Sequence, residues 1–277
     1  MKVALVIPSA LKFIPKDTFY SFIYAYSYLL NRLDDLPFKI DRLEIKAPSS
    51  FPIDACRNMA VAELIEDDFD TSIWFDADMV FPKNMMFRML NNSAPIIAGM
   101  YYIKAAPFYP VVYKETEESK KDGSFTWFKP IIEYPEDAYF YADMIGMGCV
   151  KIDVKVFKEI AKTYKEKPEF FKYGINPIRI EDDQNEKHKL NKYRANYMIR
   201  DVTEDIFLWK QVKEKTDYKI LVDPKIQCGH ITDIISDQNL FQSFYQGKME
   251  QLQREKPEEA EKIKEIICRA EPIKSES

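Results

Sequence analysis

The chain has 277 residues, of which 46% are hydrophobic and 31% are charged, a composition that is globular and excludes a disordered protein. The net charge of −5 excludes strong binding of nucleic acid through bulk charge, and no nucleic-acid partner is expected. Four cysteines without CxxC spacing and only two histidines disfavour a structural zinc site and favour a reducing, cytoplasmic location. No apolar run reaches the roughly 18 residues of a transmembrane segment.

The first 80 residues alternate predicted strands and helices. Strands are expected at Val3–Ile7, Phe38–Ile45 and Ser72–Phe75, because these runs are continuously apolar or alternate in polarity. Helices are expected at Thr18–Leu33 and from Asp54 to Ile65, where apolar residues recur at helical spacing. This order predicts a parallel sheet with crossover helices, which binds ligands at the carboxyl ends of its strands.

The remaining chain predicts a mixed second half. Short connections join four expected strands, at Pro95–Tyr102, Val111–Lys114, Phe125–Ile132 and Phe140–Ile152. Then come, in order, a helix, a long polar loop, a second helix and a last strand ended by Asp223-Pro224: Val154–Tyr164, Glu166–Arg200, Thr203–Lys215 with Thr203 as N-cap, and Tyr218–Val222.

The chain from Ser236 onward is expected to be helical, and Pro257 suits the first position of a final helix. Its apolar residues recur at helical spacing, at Leu240, Phe241, Phe244, Tyr245, Met249 and Leu252. Such a stripe is too apolar to face water, so we expect it to pack on the rest of the chain or, in a homo-oligomer, on a second subunit.

Two carboxylates, Asp76 and Asp78, directly follow the third predicted strand. Mg²⁺ and Mn²⁺ prefer carboxylate oxygens and commonly keep positions open for phosphate oxygens. A DxD pair alone is also typical of solvated turns, and the preceding buried strand favours the metal interpretation. The same segment fits the DxDx[T/V] motif of haloacid-dehalogenase-like phosphatases, in which Asp76 would be the nucleophile. In that family the motif lies near the N-terminus, whereas here two strands and two helices precede it.

Three further positions each allow a structural and a functional interpretation. Glu204 and Asp205 open a predicted helix, where acids stabilise the helix dipole but also suit a catalytic base. His230 follows a strand and a glycine, and is either structural or a metal ligand. Arg57, near a helix start, is suited to a phosphate or a carboxylate, or to a surface ion pair.

The glycine-containing segment Gly146-Met147-Gly148 lacks the GxGxxG pattern and leads into a strand. A dinucleotide fingerprint requires a helix at that point, so this pattern disfavours it. Glycines there are expected to let a substrate approach the backbone closely.

The order of these motifs resembles the GT-A glycosyltransferases, especially those of family 2. The resemblance rests on Val3–Ile7, Arg57-Asn58, Asp76-Ala77-Asp78, Gly146–Ile152, Glu204-Asp205, Asp217–Pro224 and His230. It implies an α/β protein of the GT-A type, a nucleotide-diphospho-sugar transferase fold with a mixed central sheet and flanking helices. Residues 1–235 would form the catalytic domain, with a nucleotide-binding half at about 1–100 and an acceptor half at about 101–235. Residues 236–277 would be a C-terminal helical extension.

The resemblance also implies a role for each motif. Asp78 would bind Mn²⁺ or Mg²⁺, Asp76 the donor ribose or the metal, and His230 would complete the site. Asp205, with Glu204 beside it, would be the catalytic base. The remaining assignments are Pro8, Ser9 and Arg57 to the nucleotide donor and Gly146, Met147 and Gly148 to the acceptor side.

The function so implied is transfer of a sugar from a nucleoside-diphosphate sugar to an unidentified acceptor hydroxyl. A single base opposite the leaving group implies inversion at the anomeric carbon. The alternatives are the phosphatase described above and a non-catalytic module that binds sugar nucleotides.

Overall fold

A central sheet organises the chain in the computed structural model, which describes residues 1–9, 14–49, 52–115, 128–173, 203–232, 235–258, 260 and 268–273. The strands in chain order are Lys2–Val6 (β1), Arg42–Lys46 (β2), Thr71–Phe75 (β3), Met79–Val80 (β4), Ile96–Met100 (β5), Val112–Glu115 (β6), Phe128–Glu133 (β7), Phe140–Ala142 (β8), Met144–Ile145 (β9), Cys149–Asp153 (β10), Ile220–Gln227 (β11), Gly229–Ile231 (β12), Ile235–Ser236 (β13) and Cys268–Arg269 (β14). The helices are Lys16–Leu30 (α1), Ile53–Glu66 (α2), Met85–Leu90 (α3), Val154–Ala161 (α4), Glu204–Lys215 (α5) and Gln238–Glu255 (α6), with a 3₁₀ turn at Leu33–Asp35.

Seven strands form the central sheet, in the order β2-β1-β3-β10-β5-β11-β8. β1 pairs in parallel with β2 and β3, and β5 pairs in parallel with β11. β10 runs antiparallel between β3 and β5, and β8 runs antiparallel on the edge of β11. The predicted fold class, a mixed α/β sheet with flanking helices, is therefore confirmed, as is the β-α-β-α-β order of its first 80 residues.

The inner strands are buried and largely apolar because helices cover both faces of the sheet. Successive residues of β1 point to opposite faces, so Val3 and Leu5 join one core and Ala4 and Val6 the other. Helices α1 and α3 contribute to the first core, and α2, α4 and α5 to the second. The sheet is thus held between two apolar layers, and polar groups collect at the ends of its strands.

Two strand boundaries differ from prediction because of strand pairing. The run predicted at Phe38–Ile45 becomes β only from Arg42, since β1 begins at Lys2 and offers no partner to earlier residues. The strand predicted at Tyr218–Val222 begins at Ile220 and continues past Pro224 to Gln227. Its register with β5 shifts between Asp223 and Gln227, and a proline is tolerated at such an irregularity because no ladder N–H is needed there.

The single strand predicted at Phe140–Ile152 is instead divided into β8, β9 and β10. β9 pairs with β6 in a second sheet, ordered β14-β7-β6-β9, while β8 and β10 belong to the central sheet. An unbroken strand cannot serve both sheets, so the chain bends at Asp143 and again at Gly146–Gly148. The predicted boundaries also missed the short helix α3.

The C-terminal helix contacts the rest of the chain at its first turns. The helix begins at Gln238 instead of Ser236. The side chain of Asp237 caps it by accepting a hydrogen bond from the amide of Leu240 at 2.9 Å. Phe241 is buried and stacks on Tyr102 with ring centroids 5.6 Å apart. The other residues of the predicted stripe are half-buried or exposed, so a second subunit as their partner stays a prediction.

Residues 257 and 258 are again helical, which matches the predicted helix start at Pro257. Most of the predicted loop Glu166–Arg200 lies outside the described residues. Within the described ranges, no helix is both long and apolar enough to span a membrane.

Candidate active site

The carboxyl ends of the parallel strands bring the predicted site residues to one edge of the sheet. Pro8 and Ser9 follow β1, and the backbone N–H of Ser9 donates to the carbonyl of Pro48 at 3.2 Å. Asp76 follows β3, and its N–H donates to the carbonyl of Gly148 at 3.2 Å. A cavity of about 230 Å³ adjoins Asp76. It is lined otherwise by the hydroxyl residue Thr18 and by apolar side chains from α1 and the residue Ile14 before it, from the ends of β1, β2 and β3, and from Phe81 after β4.

The buried Arg57 is the centre of a group of charges that we call the arginine cluster: Arg57, Asp76, Glu204 and Asp205. The guanidinium is only 4% exposed and lies over the ring of Phe171, 5.7 Å from its centroid. Nη2 donates to Oδ1 of Asp76 at 2.8 Å, and Nη1 donates to Oε1 of Glu204. Arg57 therefore binds two protein carboxylates and joins the strand end of β3 to the first turn of α5.

Burial and charge act in opposite directions on the groups of this cluster. Burial would lower the pKa of Arg57, but the charges of Asp76, Glu204 and Asp205 raise it, so the guanidinium stays charged. Burial raises the pKa of Glu204 and that of Asp205, and the positive charge of Arg57 only partly opposes this. Both acids are thus more basic as carboxylates than an exposed acid, as suits a general base.

The two acids at the start of α5 have different partners. Glu204 is buried, and Oε1 accepts the bond from Arg57. Asp205 is half-buried, and Oδ1 accepts from the hydroxyl of Thr203 and from the amide of Ile206 at 2.8 Å. Its Oδ2 accepts no hydrogen bond from the residues that the structure describes. Thr203 stands at the predicted N-cap position, but its side chain bonds Asp205 instead of capping the helix.

Asp78 and His230 are brought together by a short strand pairing. β12 runs antiparallel to β4 with His230 opposite Met79, and the amide of Ile231 donates to the carbonyl of Asp78 at 2.8 Å. Nε2 of His230 lies 3.5 Å from Oδ1 of Asp78. Burial would raise the pKa of Asp78, but hydrogen bonds to His230 and Lys104 outweigh it and hold the pKa at about 2.

The hydrogen bonds of His230 make this pair suitable for a divalent cation. Nδ1 lies 2.9 Å from the carbonyl oxygen of Tyr102, which can only accept, so Nδ1 is the donor. With Nδ1 held in this way, Nε2 of the neutral ring would be the atom that binds a cation shared with Asp78, as in metal-binding histidines whose other nitrogen bonds a backbone carbonyl. Asp76 turns toward Arg57 instead, and the described residues include no cluster of three or more metal-ligating side chains. The residues that fit a cation are therefore Asp78 and His230, with its other positions left for phosphate oxygens and water.

The close approach predicted at the glycines is made by Tyr101, a residue that the sequence did not single out. A Cβ on Gly146 would lie 1.7 Å from the Tyr101 hydroxyl oxygen, and one on Gly148 would lie 3.0 Å from its ring. The amide of Gly148 donates to that hydroxyl at 3.3 Å. Met147 is buried in the core, so this segment packs against Tyr101. Its contact with an acceptor stays a prediction. Apolar character at the end of β5 was the only available signal for Tyr101.

Asp223 directly follows the strand predicted at Tyr218–Val222. Its side chain has a structural partner. It is buried and accepts a bidentate bond from Arg88, with distances of 2.7 to 2.9 Å. Asp223 is therefore bonded to Arg88, whereas Asp76 is bonded to Arg57.

Comparisons with known proteins identify similar folds and no relative by sequence. No family model and no curated protein sequence matches the chain. The crystal structure of A197 from STIV is 16% identical with a TM-score of 0.45, over 84% of this chain and 87% of that chain. GalNAc-T7 with UDP, GalNAc and Mn²⁺ is 10% identical with a TM-score of 0.39, over 83% of this chain and 44% of that chain. The inositol-1-phosphate CTP transferase from T. maritima is 10% identical with a TM-score of 0.38, over 88% and 95%. At these values the likenesses decide nothing about activity.

Proposed function

We propose that this chain is a metal-dependent glycosyltransferase that moves a sugar from a nucleoside-diphosphate sugar to an acceptor hydroxyl. The observation that supports it best is the Asp78–His230 pair, whose orientation by the Tyr102 carbonyl suits a cation at the carboxyl end of β3. The arginine cluster lies at the same edge and offers a carboxylate with a raised pKa. A cation site beside a poised base fits group transfer from a diphosphate better than simple binding.

In this proposal the nucleoside occupies the cavity beside Asp76, near Pro8 and Ser9. Asp78 and His230 would hold the cation, which would supply positive charge to the diphosphate leaving group. Asp205 accepts the proton of the acceptor hydroxyl through Oδ2, the oxygen that keeps no partner among the described residues. The acceptor oxygen then bonds to the anomeric carbon as the bond from that carbon to the diphosphate oxygen breaks. A single base opposite the leaving group implies inversion.

The phosphatase alternative finds less support. Oδ1 of Asp76 accepts a hydrogen bond from the buried Arg57, which lowers its capacity as a nucleophile. Such phosphatases also have an acidic pair after a later strand, whereas the acid on the late strand here, Asp223, is bonded to Arg88. A non-catalytic module would have no use for an acid whose pKa burial raises, at a cost in stability. Both alternatives remain outcomes of the experiment below.

The experiment is a binding and transfer assay with Mn²⁺ and a panel of nucleoside diphosphates and nucleotide sugars. Asp78→Ala is expected to abolish Mn²⁺-dependent nucleotide binding, measured by calorimetry, while its melting temperature stays close to that of the wild type. Asp143→Ala is the control, because Asp143 is likewise a partly exposed acid that pairs with a lysine. Nucleotide affinity that depends on Mn²⁺ to the same degree in Asp78→Ala and the wild type would contradict the metal assignment. Metal-dependent binding without transfer to any acceptor would favour the non-catalytic module.

A further inference from the structure

Lys104 contacts the second carboxylate oxygen of Asp78, the residue to which we assign the cation. Oδ1 of Asp78 faces His230, whereas Oδ2 contacts the ammonium of Lys104. The side chain of Lys104 is 46% exposed and that of Asp78 is 28% exposed. An ion pair at the surface is weak, because water screens both charges, so Lys104 is free to exchange its partner.

We propose that Lys104 competes with the divalent cation for Asp78 and binds the diphosphate once the cation has taken its place. The inference rests on the proposed function and deepens it, since it names the residue that makes the two ligands load together. Until both are present, Lys104 weakens the binding of the cation alone.

Electrostatics require Lys104 to move when a cation binds Asp78. Two positive charges about 4 Å apart repel each other unless negative charge lies between them. A nucleoside diphosphate brings such charge to this position, and the compact, flexible ammonium of lysine is a common ligand of phosphate oxygens. Lys104 therefore opposes the cation in the free protein and assists both ligands in the loaded one.

Arg57 cannot take this role. Its two terminal nitrogens already bond Asp76 and Glu204, and the guanidinium is buried. Among the described residues, Lys104 is the cationic side chain that contacts Asp78. Because coupling is reciprocal, a residue that links the two ligands raises the affinity of each for the other by the same factor.

The test is calorimetry on Lys104→Ala, with Mn²⁺ alone and then with a nucleoside diphosphate at saturating Mn²⁺. We expect Mn²⁺ alone to bind about two- to fivefold more tightly, because a weak competing pair is gone. We expect the nucleoside diphosphate to bind about tenfold more weakly, because a charged hydrogen bond is lost. Lys104→Gln should shift both affinities in the same directions.

The matched control is Lys114→Ala, since Lys114 also pairs with an aspartate, Asp143, and its side chain is 47% exposed. It should leave both affinities unchanged. If Lys104→Ala changed neither affinity, or weakened both, the competition would be overturned while the glycosyltransferase proposal stood. If the wild-type protein bound neither Mn²⁺ nor any nucleoside diphosphate, both proposals would fail together.

Discussion

Asp76 and Asp78 are two residues apart in sequence and their side chains are equally exposed, at 28%, yet their cationic partners differ. Asp76 belongs to the arginine cluster, where its partner Arg57 is buried and also holds Glu204. Asp78 pairs with Lys104 and His230 at a partly exposed position. Water reaches the second pair and not the centre of the first.

The contrast separates side chains that are suited to hold a fixed geometry from side chains that are suited to exchange their partners. Removing one partner from a buried ion pair leaves an uncompensated charge, which is costly, whereas an exposed pair is worth little. The arginine cluster is therefore suited to hold α5 and β3 in a constant geometry. The pair at Asp78 is suited to release one cation and accept another.

The largest effect is expected for Asp205→Asn, which tests which acid of the arginine cluster is reactive. Removing a general base typically lowers the rate by about 10²–10⁴-fold. Because the pKa of Asp205 is raised, its base form is lost as the pH falls through that raised value, and the wild-type rate should fall with it. The variant should lose this acid limb and still bind the nucleotide sugar. Transfer rates against pH, with calorimetry for binding, measure both.

Glu204→Gln is the variant to compare with Asp205→Asn. Glu204 is bonded to Arg57, so this change should lower the melting temperature more and the rate less than Asp205→Asn. The opposite order would exchange the two roles. If neither variant slowed transfer, Glu204 and Asp205 would be an ordinary helix start.

A smaller effect, on stability, is expected for Arg57→Met. The substitution keeps much of the side-chain volume but leaves Asp76 and Glu204 without their buried cation, at a cost of about 3–5 kcal/mol in the free energy of unfolding. Lys104→Ala removes an exposed cation and should cost at most about 1 kcal/mol. Denaturant unfolding of both variants measures the difference. Equal losses would mean that the two regions do not differ as described.

A smaller effect than that of Arg57→Met is expected for Gly146→Ala, which disturbs the side chain between the two regions. Tyr101 lies with its ring 5.6 Å from that of His230 and its hydroxyl against Gly148. A methyl group at Gly146 would lie 1.7 Å from that hydroxyl, and such overpacking costs about 1–3 kcal/mol. We expect a lower melting temperature and weaker binding of Mn²⁺, since Tyr101 must move.

The control is Gly247→Ala in α6, where a Cβ would meet nothing within 4 Å. Alanine is favoured over glycine in a helix by up to about 1 kcal/mol, so this variant should be neutral or slightly more stable. If Gly146→Ala were as stable as Gly247→Ala, Tyr101 would not be held rigidly between the two regions.

Local patterns were sufficient to predict the layers of this fold. Val3–Ile7 is apolar throughout and Ser72–Phe75 is apolar after its serine, and such runs are typical of strands covered on both faces. Asp76 and Asp78 could be predicted at a strand end because they interrupt that run. The start of α5 near Thr203 was predictable from the acids and the apolar spacing that follows.

Partners distant in sequence could not be predicted in this way, because periodicity reports which face a residue occupies and not what lies opposite it. The pairing of β4 with β12 brings His230 to Asp78, and tertiary packing brings Arg57 of α2 to Glu204 in the first turn of α5. Tyr101 lies against the two glycines because β5 and β10 are neighbours. Tertiary packing alone decides whether a carboxylate meets a buried guanidinium or an exposed ammonium. That difference gives Asp76 and Asp78 their separate chemistry.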